Sequence, residues 1–189
     1  AKICRDCHAP TCQTGCPAGV DIPGFVTAIA EGDEERAYRV LRGSNPLPEI
    51  CAWVCPSEVQ CEGSCIRQHI AEGPVPIKSL QRYVCEYARE QGWTALDVPE
   101  EAADERIAVI GAGPAGASAA IRLLQQGYRV TIIDASEDPG GTAAGVIPGE
   151  RLEDRVPREE LTSILQHCET DRLQWRLGTA MNEDLTVDD

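Results

Sequence analysis

Eight of the ten cysteines in this 189-residue chain fall into two short blocks, and this constrains the fold more than any other feature. The first block is Cys4, Cys7, Cys12, Cys16 and Pro17. The second is Cys51, Cys55, Pro56, Cys61 and Cys65. Thiols this dense serve as disulfides, zinc ligands or iron–sulfur ligands. A chain of this length buries a core without needing disulfides. No apolar leader opens it, so the expected setting is cytoplasmic and reducing, where clustered thiols bind metal. Structural zinc takes two short pairs, four ligands in all. Two blocks of four, each with a Cys-Pro, suit a pair of iron–sulfur clusters better, the cysteine before the proline reaching across to the other cluster. Two 4Fe-4S clusters are therefore expected, with structural zinc as the alternative. Spacing alone does not assign the ligands. Cys85 and Cys168 read as small buried hydrophobes.

The same asymmetry divides the chain. Nine cysteines lie in residues 1–93, read as a helical cluster-binding domain. The acidic, weakly patterned stretch Thr94–Glu105 reads as a linker, and residues 106–189 as an incomplete nucleotide-binding domain. In the first part, Asp21 reads as a helix cap with Pro23 in the first turn, and Phe25, Val26 and Ile29 share a face. Asp33-Glu34-Glu35 opens a second helix carrying Tyr38, Val40 and Leu41. Ser79 is expected to cap a third, with an apolar stripe of Leu80, Val84 and Tyr87. This part looks too poor in aliphatic core to stay ordered without iron.

Beyond the linker the period changes. Arg106–Gly111 reads as a short buried strand, Ala115–Gln126 as a helix and Tyr128–Asp134 as a second strand, together a β-α-β unit. An amphipathic helix over Val156–Cys168 and a strand over Leu173–Thr179 follow.

At the strand-to-helix turn stands G-A-G-P-A-G, from Gly111 through Gly113, Pro114 and Ala115 to Gly116. In this context the pattern is a dinucleotide fingerprint. Gly111 makes the turn, Gly113 admits a pyrophosphate, and Gly116 allows close packing of helix on strand. The helix N-terminus attracts the phosphates. Asp134, ending the next strand, is the expected acceptor for ribose hydroxyls. The motif does not separate FAD from NAD. Gly140-Gly141, in D-P-G-G, hints at a second close backbone approach of the kind flavin enzymes use.

Charge narrows the partners. Seventeen Lys and Arg stand against 31 Asp and Glu, a net charge of −14, which disfavours nucleic acid and anionic membrane. No segment approaches the ~20 apolar residues of a membrane helix. His8, His69 and His167 sit in no catalytic or ligating pattern. The first residue is Ala1 and the last residues show no natural stop, so the chain is expected to be a piece of a longer polypeptide.

The two cysteine blocks, N-P-L (Asn45–Leu47), G-P-V-P-I-K (Gly73–Lys78) and the glycine fingerprint with its trailing Gly-Gly resemble one family. It comprises the small subunit of glutamate synthase, the N-terminal part of dihydropyrimidine dehydrogenase and related flavoprotein subunits. The resemblance implies an α plus α/β fold: a helical, alpha-helical-ferredoxin-like iron–sulfur domain followed by a partial Rossmann-like FAD-binding domain. It implies one cluster on Cys4, Cys7, Cys12 and Cys65. A second would use Cys16, Cys55 and Cys61, with Gln81 as fourth ligand and Cys51 a spectator. The alternative is Cys51 as ligand and Gln81 a solvated helix residue. The family loop G-I-P-x-x-R-L-P is here G-V-I-P-G-E-R-L-E, which keeps Arg151 on the flavin side but puts Glu153 where proline is usual.

The resemblance further implies an oxidoreductase component in which FAD, reduced by NAD(P)H, feeds electrons through the clusters to a partner. The single fingerprint places the nicotinamide site outside these residues. Other redox subunits, or a further NAD(P)H domain, are the expected partners. The alternative is a relay or docking subunit without its own nicotinamide chemistry.

Overall fold

The computed structural model describes residues 1–165 and 172–181 and divides the chain into two compact units, Ala1–Ala95 and Leu96–Asp189. His167 and Cys168 lie outside the described residues. Among the described residues no helix is long and apolar enough to cross a membrane.

The first unit is built from helices and loops. A short helix α1 (Thr11–Thr14) precedes α2 (Ile22–Glu31), α3 (Glu34–Ser44), α4 (Pro48–Val54) and α5 (Ile77–Gln91). Local chemistry sets the boundaries. The Asp21 carboxylate accepts from the Gly24 N–H at 3.0 Å and Asp33 accepts from the Arg36 N–H at 3.0 Å, each capping the helix it precedes. Gly32, in the left-handed region at φ 80°, closes α2, so α2 and α3 form a tight hairpin. The expected cap at Ser79 is not observed. Helix α5 begins two residues earlier, at Ile77 after Pro76, because proline suits a helix start. Its buried face is Ile77, Val84, Cys85 and Ala88, while Leu80 and Tyr87 are half-buried at its margin. Helix α4, which carries Cys51, was not foreseen; seven residues are too few to show a period.

These helices enclose a continuous core. Phe25, Val26, Leu41, Ile77 and Val84 are all buried and packed into one cluster with Val20, Ile22, Ala37 and Tyr38. The buried core is larger than the sequence suggests. The apolar residues are few but concentrated on facing helices, and each large one adds about 1.5–3 kcal/mol when fully buried.

The second unit carries a parallel sheet in the order β1-β2-β3, from β1 (Arg106–Ile110), β2 (Arg129–Ile133) and β3 (Leu173–Arg176). Val109 pairs with Ile132, and Ile132 with Trp175. Helix α6 (Pro114–Gln125) joins β1 to β2 and buries Ala117, Ala120, Ile121 and Leu124. Helices α7 (Gly141–Gly145) and α8 (Arg155–Leu165) follow; Leu152, Val156, Leu161 and Leu165 are buried. One expectation fails here. Strand β1 is not buried: Arg106, Ala108 and Ile110 are exposed, Ile110 by 57%. It is an edge strand, and among the described residues only β2 pairs with it.

The stretch expected as a linker is partly fixed to this unit. The Arg172 guanidinium donates to the carbonyls of Pro99 and Glu100, and the Ala103 N–H donates to the Gly127 carbonyl at 2.9 Å.

Candidate cluster-binding and nucleotide-binding sites

The fold of the first unit laces the two cysteine blocks together. The Thr11 hydroxyl donates to the Ser64 carbonyl, across 53 residues of chain, beside Cys12 and Cys65. Cys4, Cys7, Cys12 and Cys65 line one cavity of about 390 Å³ counted to its open mouth. Its remaining wall is largely apolar, with Ile22, Val75 and Ile77. Burial pushes the Cys12 thiol up to about 11.

A second cavity, about 520 Å³ counted the same way, is lined by Cys16, Cys51, Cys55, Cys61 and Gln81. The structure thus brings Gln81, twenty residues beyond the first cysteine of block two's last pair, to a wall that holds four thiols. The reason lies in helix packing. Helix α5 lies on α4; the Arg82 guanidinium stacks 3.4 Å over the Trp53 ring, and Arg89 pairs with the buried Glu49 at 3.3 Å. In that register the Gln81 Nε2 donates to the Pro48 carbonyl at 2.7 Å. Its amide oxygen is the remaining acceptor.

Cys51 and Cys55 are four apart and hydrogen-bonded through their side chains. That bond holds the Cys51 thiol up, with burial adding to it, and pulls Cys55 down to about 7. Burial raises Cys61 to about 11. Glu62 braces the loop: it accepts from the Lys78 N–H at 2.8 Å and the Ser57 hydroxyl at 3.0 Å, while Lys78 Nζ donates to the Cys55 carbonyl at 2.8 Å. Lys78 ends the G-P-V-P-I-K motif, although its bond to the Cys55 carbonyl is legible only in the fold; Glu62 was not singled out, and its place directly after a block cysteine was its only signal.

Among the described residues, no three His, Cys, Asp or Glu side chains stand close enough to hold a single metal ion. The donors surround two cages, and soft thiolates around a cage suit a polynuclear iron–sulfur cluster. Cys85 is buried within α5 and lines neither cavity; His8 and His69 are exposed.

In the second unit the glycine turn joins β1 to α6. Gly116 is obligatory: a Cβ there would lie 1.8 Å from the Gly111 carbonyl oxygen. Pro114 stands in the first turn of α6 and Gly113 at its cap, leaving the first N–H groups of the helix free of a side-chain cap. The trailing pair folds back on this turn. The Gly140 N–H donates to the Ala112 carbonyl at 2.9 Å, and a Cβ on Gly141 would lie 2.8 Å from Gly113 Cα. A cradle of bare backbone results, of the kind a pyrophosphate approaches.

The Asp134 carboxylate accepts from the Ala112 N–H at 2.6 Å and from the Ser136 N–H at 2.7 Å. Those two bonds hold it below the usual carboxylate range. Each oxygen retains a lone pair for a further donor. Arg151 is exposed, in a turn closed by its own N–H on the Pro148 carbonyl at 2.9 Å. Glu153 pairs with Arg155 at 2.8 Å.

Known proteins resemble this chain in sequence. Residues 1–93 match the family of dihydropyrimidine dehydrogenase domain II, 4Fe-4S cluster, and residues 109–158 match the NAD(P)-binding Rossmann-like domain family. The glutamate synthase (NADPH) small chain of Azospirillum brasilense is 38% identical over 156 residues, 82% of this chain and 32% of that protein. The NAD-dependent dihydropyrimidine dehydrogenase subunit PreT of Escherichia coli (strain K12) is 35% identical over 164 residues, 87% of this chain and 39% of that protein. The glutamate synthase (NADPH) small chain of Escherichia coli (strain K12) is 32% identical over 192 residues, 100% of this chain and 39% of that protein. The chain spans about a third to two fifths of the length of these relatives. The cysteine-bearing unit belongs to the dihydropyrimidine dehydrogenase domain II, 4Fe-4S cluster family, and the chain is related to part of the glutamate synthase small chains and dihydropyrimidine dehydrogenase subunits.

Proposed function

We propose that this chain handles electrons within an NAD(P)H-linked oxidoreductase, holding two 4Fe-4S clusters and FAD and delivering electrons to a partner subunit. The observation that carries the reading is that two cavities of the first unit each gather ligands from both cysteine blocks. Cys4, Cys7, Cys12 and Cys65 hold the first cluster. Cys16, Cys55, Cys61 and the Gln81 amide oxygen hold the second. The tether from Gln81 Nε2 to Pro48 supports this choice, since it commits the nitrogen elsewhere. Cys51, whose thiol bonds to Cys55, is then a neighbour of a ligand rather than a ligand.

When bound, FAD would exchange two electrons as one hydride, and the clusters would pass single electrons. The residues do the rest. Gly111, Gly113, Pro114, Ala115 and Gly116 with Gly140 and Gly141 present backbone to the pyrophosphate. Asp134 fixes the glycine turn and keeps lone pairs for ribose hydroxyls, and Arg151 lies in the loop beyond. Ile22, Val75 and Ile77 give the first cluster an apolar flank. The names of the relatives include both NADPH and NAD, so the reading is written for either nicotinamide.

Metal, sulfide and flavin analysis of anaerobically purified protein tests the reading. About eight iron and eight sulfide per chain, with stoichiometric flavin, is the expected result. Zinc without sulfide would overturn it.

A further inference from the structure

The cavity of Cys4, Cys7, Cys12 and Cys65 has a charged wall that the ligand assignment leaves unused. Arg67 lines it, on the short 3-10 turn Ile66–His69 directly after Cys65. Its side chain is only 11% exposed. Its one ion pair among the described residues is long, 3.8 Å to Glu72, whose own side chain is 69% exposed. The Nε–H is shut off from solvent and finds no hydrogen-bond partner among the described residues. A buried donor left unpaired costs about 1–3 kcal/mol, more when it belongs to a charged group. Arg5 also lines the cavity, and among the described lining residues there is no carboxylate. The second cavity has a different wall: its cation, Lys78, is already engaged with the Cys55 carbonyl.

Resting on the proposed function, we infer that Arg67 is a tuning residue for the first cluster: its Nε–H donates to a sulfur there, and its charge raises that cluster's reduction potential. Each electron added to a thiolate-bound cluster makes it one unit more negative. A desolvated guanidinium, which cannot lose its proton, stabilises the reduced form more than the oxidised one. Hydrogen bonds to cluster sulfur act in the same direction. The wall thereby makes the four-cysteine cluster a better electron acceptor than its four thiolates alone would.

The test is a potentiometric titration of the full chain, loaded anaerobically and followed by electron paramagnetic resonance. It compares the unaltered protein with Arg67→Gln and Arg67→Lys. In Arg67→Gln one of the two midpoints is expected to fall by a factor of about ten in the reduction equilibrium, about 59 mV for a one-electron couple, while the other stays. Arg67→Lys keeps the charge but loses the Nε–H, so the same midpoint falls by less. If both variants carry full iron and neither midpoint moves, the inference is wrong. If Arg67→Gln fails to take up iron, Arg67→Lys decides on the same readout. If neither variant takes up iron, Arg67 is structural and the tuning role is overturned. Absence of iron in the unaltered protein sinks the proposed function itself and is seen before any variant is titrated.

Discussion

The side-chain nitrogen of Gln81 is tied to the carbonyl of Pro48 at 2.7 Å, a bond between α5 and the first residue of α4. The same amide lines the cavity that holds Cys16, Cys55 and Cys61. The bond makes Gln81 a positioned group and not a solvated one. Gln81→Leu is expected to lower iron and sulfide from about eight to about four per chain, one cubane of two. Cys51→Ser is expected to leave both near eight. Elemental analysis of the two variants checks this, and the reverse pattern would hand the fourth ligand to Cys51.

The Cys51–Cys55 bond makes a second expectation for the iron-free protein. Cys55 is pulled down to about 7 by its bond to Cys51, whereas Cys12 and Cys61 are pushed up to about 11 by burial. The thiolate is the reactive form. At pH 7.5 iodoacetamide should therefore modify Cys55 well before Cys12 or Cys61, as read by mass mapping. Cys51→Ala removes the donor and should slow Cys55 several-fold.

Gly116 meets the Gly111 carbonyl oxygen so closely that a methyl group would overlap it, at 1.8 Å. Neither backbone can yield without opening the turn. Gly116→Ala is expected to cost about 1–3 kcal/mol or more in the second unit and to lower the flavin content. Iron should stay unchanged, because the clusters belong to the other unit. Flavin absorbance and metal analysis on one sample separate the two effects.

Asp134 is held below the usual carboxylate range by the Ala112 and Ser136 N–H groups. The folded value therefore lies below the unfolded one, near about 3.9. Its stabilisation is fully present above the unfolded value and fades as pH falls through the folded one. Asp134→Asn should lower the thermal midpoint at pH 7, by an amount corresponding to about 1 kcal/mol for an exposed charged hydrogen bond. The difference from the unaltered protein should shrink toward pH 3. A constant difference across that range would assign the effect to something other than the charge.

Phe25 is fully buried at the centre of the first unit. Given this core, iron chelation is expected to loosen the cysteine loops while α2, α3 and α5 keep their amide protection in hydrogen exchange. Phe25→Ala, at about 3–5 kcal/mol, should remove that protection. Uniform loss of protection on chelation alone would restore the view that metal holds the whole unit together.

The sequence by itself narrowed the two chemistries. Eight thiols in two Cys-Pro blocks favour iron and sulfide over zinc, and a glycine fingerprint between strand and helix marks a dinucleotide turn without separating FAD from NAD. It also set the caps at Asp21 and Asp33, because a carboxylate three residues before an N–H is a local contact. What depended on distant chain was less legible. The start of α5 at Ile77 rather than Ser79, the seven-residue α4 and the exposure of β1 follow from packing and pairing that no short window records.

Tertiary structure alone decided how the donors group. Cys65 joins block one's cavity and Cys16 joins block two's because the Thr11–Ser64 bond laces the loops together. Arg67 turns a buried, unpaired donor toward function only because the chain folds it away from water beside thiols two to 63 residues distant. Spacing along a chain is one-dimensional, whereas a cage of ligands is closed by contacts whose free energy is known only once the helices have packed.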